Sequence, residues 1–409
     1  MKIIYNLGIR FYGLAIIVVS LFNEKAKKWR TGRKDIFSIL QKTFADVKEP
    51  VAWFHASSLG EFEQGRPVIE AFRQAKPNYK ILLTFFSPSG YEIRKNYTGA
   101  DYIFYLPLDT PSNAKRFVDI VKPKFSVFVK YEFWFNYLKE LHKANAPVYL
   151  ISAKFRADQY FFKGYASWFR KQLKEYREIF VQDPESEKLL RGAGVEKVIV
   201  AGDTRFDRVI AIAGQIKPDS LVQSFKGNGK LWICGSTWPE DERLILETFK
   251  QVKSTGVRLL LVPHEIGEGN INRIIGMFPN SGKYSATTDT NKLEVLVVDK
   301  MGLLSSLYQY GDIAYVGGGF GKGIHNLPEA AVYGIPVLFG PNYQKFNEAL
   351  ELIKCKGGAS VANADEMLKR VLHLLKEDDF RKQRGTDAKN YIYQARGATD
   401  KIIEELTTL

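Results

Sequence analysis

The sequence is short of the residues that build metal and redox chemistry. Its 409 residues include two cysteines, Cys234 and Cys355, with no CxxC pair and no Cys/His spacing suited to zinc. A disulfide framework, a structural metal and thiol redox chemistry are thereby disfavoured, and a reducing compartment is expected. No Asp-x-Asp triplet is present to hold a diphosphate through a metal. GxxxxGK[ST] and a proper GxGxxG are also missing, which argues against nucleoside triphosphate hydrolysis and dinucleotide binding. No metal and no cofactor are expected. Internal repeats and low-complexity tracts are lacking as well, so solenoids and long disorder are set aside.

What is present is a globular composition, 45% hydrophobic and 25% charged, in a chain long enough for two or three domains. The net charge is +14, which favours an anionic partner such as a phosphorylated substrate, an acidic membrane surface or nucleic acid. No nucleic-acid module is recognisable and the aromatics fall in strand cores, so nucleic acid is not expected. Half of the excess charge lies in residues 1–48, where ten Lys/Arg stand against three acids.

That segment opens with an apolar run, residues 3–22, followed by KAKKWRTGRK at 25–34. As a helix the run would reach ~30 Å, about one hydrocarbon thickness. Positive charge after the run rather than before it is the wrong order for a signal peptide, and no cleavage is expected. The same order holds the basic side in the cytoplasm against anionic lipid, with Tyr12 and Trp29 suited to the interface. Residues 1–48 therefore read as a membrane-associating segment that either spans once or lies in the inner leaflet. A buried helix of a soluble domain is the alternative.

From Val51 onward, short apolar runs alternate with amphipathic stretches. Strands are expected at 51–55, 80–86, 102–106, 125–129, 148–152, 178–182 and 197–202, and again at 231–236, 258–263, 294–299, 313–318 and 336–340. The alternation predicts an α/β protein with two parallel-sheet domains, 49–207 and 230–409, joined by a linker at 208–229. Two such halves would face a cleft with the carboxyl ends of their strands.

The turn after VAWFH holds Ser57, Ser58 and Gly60, with Glu61 at the start of a helix. A carboxylate there can act as a general base, although Ser58 and Glu61 also fit an S-x-x-E capping box. Lys130 and Glu132 follow the strand at 125–129, and a carboxylate among Phe133, Trp134 and Phe135 needs a partner or a raised pKa. In the second half, a glycine-rich turn with Gly318, Gly319, Lys322 and Gly323 precedes a helix expected near His325 or Asn326. Its amides and positive end suit a phosphate, and Glu329 suits ribose hydroxyls; a purely structural glycine turn is the alternative. Ser236 and Thr237 at one strand end and His264 at another complete the candidate nucleotide site.

Taken in order, HASSLGEF (55–62), YEFWFN (131–136), GDTRFD (202–207), GSTWPEDE (235–242), LVPHE (261–265) and GIHNLPEAAVYGIPVLFGP (323–341) resemble the Kdo transferases. Those enzymes move 3-deoxy-D-manno-octulosonic acid (Kdo) from CMP-Kdo to a lipid A precursor. The resemblance covers essentially the whole chain. It implies a GT-B fold of two Rossmann-like domains, with the acceptor on the amino-terminal domain and the CMP-sugar on the other. The family's HAxSxGE base falls on Glu61, with Ser57, Ser58 and Gly60 beside it. Its ETELWPN motif places Glu132 as the second acid and Lys130 where the first is usual. STHPGEE is matched by Ser236 and Thr237, with Trp238 in place of His, and PRHP by Pro263 and His264 without the Arg. GGHNxLEP is matched by Gly323, His325, Asn326 and Glu329, with Ile324 and Ala330 as departures. The implied partners are CMP-Kdo, a tetraacyldisaccharide bisphosphate acceptor and anionic inner-membrane lipid, at the cytoplasmic face of the inner membrane. Single displacement with inversion is expected. A GT-B transferase using a UDP-sugar on another lipid or glycan is the alternative reading.

Overall fold

Apolar runs too short for helices become strands buried on both faces. The computed structural model describes residues 1–164, 166–215 and 218–408. The chain divides into two units, Met1–Asp207 with Arg396–Leu409, and Arg208–Ala395.

The first unit holds β1 (Val51–Ala56), β2 (Lys80–Phe85), β3 (Tyr102–Tyr105), β4 (Phe125–Val129), β5 (Val148–Ala153), β6 (Glu178–Val181) and β7 (Val198–Val200). They form one parallel sheet in the order β3-β2-β1-β4-β5-β6-β7. Because side chains alternate along a strand, Val51 and Trp53 enter the core on one face while Ala52, Phe54 and Ala56 enter the core on the other. Strand order reverses between β1 and β4, so a crevice opens at their carboxyl ends. Ser57, Ser58 and Glu61 leave β1 there, and Lys130 and Glu132 leave β4.

The second unit holds β8 (Leu231–Thr237), β9 (Arg258–Pro263), β10 (Ser281–Lys283), β11 (Val295–Val297), β12 (Ile313–Val316), β13 (Val337–Phe339) and β14 (Gly358–Ser360). Its parallel order is β10-β11-β9-β8-β12-β13-β14, which places the reversal between β8 and β12. Ser236 and the glycine-rich loop lie at that point.

Several expectations need correction. The segment 208–229, read as a linker, contains the end of helix Thr204–Ala213 and helix Ser220–Lys226, whose Val222 and Phe225 are buried. Its residues 216 and 217 lie outside the described residues. The last helix, Ala398–Thr407, belongs to the first unit and not to the domain ending the chain: Ala398, Ile402 and Leu406, four apart, fill the core beside Phe54 and Phe72. Asp207 fixes it by accepting from the Gly397 amide at 2.6 Å and the Thr399 amide at 2.7 Å.

Residues 1–48 are three helices of the first unit, Lys2–Val19, Glu24–Thr31 and Ile36–Phe44, and the third buries Ile36, Leu40 and Phe44 in the common core. Within Lys2–Val19 only Gly13 is buried, since a Cβ there would come within 2.8 Å of Leu108. This rules out the reading of a buried helix. Tyr5, Ile9, Gly13, Ile16 and Ser20 form the stripe that faces the unit, while Ile3, Ile4, Leu7, Phe11, Leu14 and Val18 are exposed. Trp29, expected at a lipid interface, is buried under Arg33, whose guanidinium lies 3.8 Å from the ring centroid.

Candidate active-site residues

At the first unit's switch point, His55 is the one polar side chain in the buried strand VAWFHA. Its Nδ1 lies 3.0 Å from the Thr84 carbonyl and 2.8 Å from Thr84 Oγ1, which makes Nδ1 the donor. Its Nε2 lies 3.0 Å from Glu132 Oε2 and 3.0 Å from the Trp134 indole nitrogen. The Trp134 indole N–H donates to the same Glu132 oxygen at 2.5 Å, and the Tyr176 hydroxyl donates to the Glu132 carbonyl at 2.9 Å. Glu132 therefore has the partners that a buried carboxylate requires.

Glu61 lies in the first turn of helix Leu59–Ala75 and does close a capping box: its Oε2 accepts from the Ser58 amide at 3.1 Å, and Ser58 Oγ accepts from the Glu61 amide at 3.5 Å. The cap does not exhaust it. Burial, then the neighbouring Glu132 carboxylate, pushes its pKa up to about 7, against the Ser57 and Ser58 amides and the Lys130 ammonium, which pull it down. Lys130 takes a left-handed backbone, φ +69°, at the end of β4, a conformation rare for a residue with a side chain and concentrated at functional sites. Gly60 is exposed, and a Cβ on it would meet nothing within 4 Å, so packing does not demand glycine there; its bareness leaves open space beside Glu61.

In the second unit, Trp238 and His325 lie nearly in one plane, 9° apart, and the indole N–H donates to His325 Nε2 at 3.0 Å. His264 stacks across both, with ring centroids 4.6 Å from Trp238 and 4.5 Å from His325. Burial, then His264, pushes the His325 pKa down to about 4, so its imidazole is neutral at pH 7. With Nε2 accepting, the proton sits on Nδ1. Asp241 is buried and organises the loop: it accepts from the Tyr315 hydroxyl at 2.6 Å and from the Gly318 and Trp238 amides, each at 2.9 Å. Gly317 lies so close that a Cβ would fall 2.5 Å from the Ser236 carbonyl, and Gly318 takes φ +92°.

This arrangement corrects the expected phosphate grip. The helix is one turn, Pro328–Ala331, and begins after His325 and Asn326 because Pro328 suits a first helical position. The amides of Gly318, Gly321, Gly323 and His325 are already engaged by Asp241 or by carbonyls of the loop itself. Thr237 is buried and donates its hydroxyl to Glu242 at 3.2 Å, while Glu242 is paired with Arg273. Gly319 packs against the Gly340 backbone. At the same end of the sheet stand Ser236, half-buried with φ +53°, the exposed Lys322, and the Asn326–Glu329 pair. Asn326 donates to Glu329 Oε1 at 2.7 Å, and its own Oδ1 is buried without a hydrogen-bond partner among the described residues. His55, Trp134 and Asp241 were not singled out from sequence. A lone polar residue in an apolar strand was the available signal for His55.

Two Rossmann-like units, each gathering polar side chains where its strand order reverses, define an α/β enzyme of GT-B type. The UDP-GlcNAc 2-epimerase of Methanocaldococcus jannaschii shares the fold at a TM-score of 0.54 and 13% identity, over 88% of this chain and 100% of that one. A family model described as 3-deoxy-D-manno-octulosonic-acid transferase (kdotransferase) matches residues 31–208. The 3-deoxy-D-manno-octulosonic acid transferase of Aquifex aeolicus is 31% identical over 332 residues, 79% of this chain and 85% of that protein. Its namesake in Haemophilus influenzae is 25% identical over 96% of this chain and 95% of that protein. The chain belongs to the Kdo transferase family and is a glycosyltransferase.

Proposed function

We propose that the enzyme transfers Kdo from CMP-Kdo to a phosphorylated, acylated lipid A precursor at the cytoplasmic face of the inner membrane. The observation that carries this reading is Glu61, a carboxylate at the β1/β4 switch point whose pKa is pushed up to about 7. A base so poised accepts a proton near neutral pH and still ionises there. As the acceptor hydroxyl oxygen attacks the anomeric carbon, Glu61 takes the hydroxyl proton. The bond from that carbon to the phosphate oxygen breaks, CMP leaves with the electron pair, and the configuration inverts. In the second unit, Lys322 and the His325 Nδ1–H offer donors to the phosphate, and Asn326 and Glu329 offer acceptors to ribose hydroxyls.

Membrane residence is supported by helix Lys2–Val19, the one helix among the described residues long and apolar enough to cross a bilayer. One stripe packs on the first unit along its length, so the helix lies on the leaflet with its other faces in the lipid. It does so at the carboxyl end of the sheet. The Tyr5 hydroxyl donates to Asp109 beyond β3 at 2.5 Å, and Asn136 beyond β4 donates to Asn6 at 2.9 Å. The lipid-facing helix and Glu61 thus share one end of the first unit.

The test is turnover of CMP-Kdo against UDP-sugars with a tetraacyldisaccharide bisphosphate acceptor. CMP-Kdo alone should be consumed, and Glu61→Gln should lower kcat by about 10²–10⁴ while CMP still binds. Turnover with UDP-sugars only would overturn the donor assignment.

A further inference from the structure

A cavity of about 770 Å³ lies between helix Lys2–Val19 and the body of the first unit, and none of the candidate site residues lines it. Leu14 and Ile17 of that helix, Ile36 and Phe37 of helix Ile36–Phe44, and Leu108 give it apolar walls. Arg10, Arg30 and Arg116, all exposed, stand around it. Arg30 meets the Ser20 hydroxyl at 3.4 Å, and Arg116 meets the Gln41 side-chain oxygen at 3.3 Å and the Phe37 ring at 4.5 Å. None of the three has a carboxylate partner among the described residues, and Asp35 is the one acid in the lining.

The fourth arginine of the lining, Arg33, does something different. It donates to the carbonyls of Leu106 at 2.8 Å, Trp29 at 3.0 Å and Phe86 at 2.7 Å, and it lies over the Trp29 ring. Beyond it, Phe86 packs between Trp29 and Trp134, with centroids at 5.7 and 4.7 Å, and Trp134 donates to Glu132. Three rings, Trp29, Phe86 and Trp134, thus stand in series between the cavity and Glu132.

Apolar walls with unneutralised guanidinium groups at the rim fit an amphiphile with one acyl chain inside and a phosphate outside, since guanidinium matches phosphate in a two-pronged geometry. Rings standing between the cavity and Glu132 argue against the reacting acceptor as its occupant. Phe11 and Val18, one turn of helix from the lining residue Leu14, are exposed, and on a helix lying on the leaflet bilayer lipid is the amphiphile at hand. We propose that this cavity holds one anionic glycerophospholipid, its phosphate across Arg10, Arg30 and Arg116 and one chain between Leu14, Ile17 and Phe37. The inference rests on the membrane reading above. The bound lipid ties the helix to the leaflet at a fixed depth, and with it the Glu61 end of the sheet.

The experiment uses the full chain, reconstituted with phosphatidylcholine vesicles containing phosphatidylglycerol, extracted in mild detergent and weighed by native mass spectrometry. One phosphatidylglycerol should remain per chain. The combined Arg10→Gln, Arg30→Gln, Arg116→Gln variant should reduce that occupancy at least tenfold. Ser38→Trp, an exposed lining position, should block the cavity at unchanged charge, losing the retained lipid while vesicle pelleting persists. Retention of lipid by either variant overturns the proposal, as does its one-for-one displacement by the tetraacyldisaccharide acceptor. Pelleting without any retained lipid overturns this inference alone; failure to pellet removes the membrane reading with it.

Discussion

Glu61 shows how one side chain serves two ends. Its capping bonds orient the carboxylate, and its burial sets the proton affinity. With Glu61 as the proposed base, kcat/KM should rise about tenfold per pH unit below about 7 and level off above it. Lys130→Met removes a charge that favours ionisation, so the rising limb should move to higher pH, as read from a pH–rate profile. Linkage fixes the sign for stability: a raised carboxyl pKa contributes stability present below about 4.5 and lost as pH rises through about 7. Glu61→Gln should therefore melt higher than the parent at pH 8 and converge with it near pH 4. In the second unit, Trp238→Phe keeps a ring under His264 but removes the N–H that holds His325 in its Nδ1–H form. Nitrogen NMR should show His325 shifting to mixed tautomers, with KM for the donor rising more than kcat falls. Much of this was legible in sequence, because Glu132 and Ser236 lie within three residues of predicted strand ends, Glu61 and His325 follow such ends within two helical turns, and Glu329 closes the same glycine-rich loop. The His55–Glu132 contact was not, since 77 residues separate partners that parallel pairing of β1 and β4 makes neighbours.

At the level of elements, the position of Glu61 depends on how closely helix Leu59–Ala75 approaches β4. Gly65 allows that approach, because a Cβ would fall 2.8 Å from Val129 Cγ2. Gly65→Val should force the helix outward, costing about 1–3 kcal/mol and lowering kcat, with thermal melting and steady-state rates as the checks. The strands were legible where they carry apolar runs; β4 and β9 coincide with their expected limits. The edge strands β10 and β14, SGK and GAS, had no such signal, for edge pairing needs neither apolar nor β-branched side chains. Helix Pro328–Ala331 begins two or three residues later than expected, because a glycine-rich turn does not mark where its helix starts and Pro328 does.

Across the whole molecule, the chain leaves the first unit after Asp207 and returns to it at Arg396. Asp207→Ala should free the amides of Gly397 and Thr399, with a cost of about 1–3 kcal/mol. Hydrogen exchange should then quicken in helix Ala398–Thr407 and in the strands it covers, while the second unit keeps its protection. Sequence gave no hint of this return, since an amphipathic helix at a chain's end does not say which core it covers. One consequence concerns birth rather than catalysis. Emerging from the ribosome, the first unit lacks Ala398, Ile402 and Leu406, so its hydrophobic interior stays open until those residues have been made. The second unit, made in between, is therefore the first that can be completed, and helix Lys2–Val19 must wait for helix Ala398–Thr407 before its own unit closes.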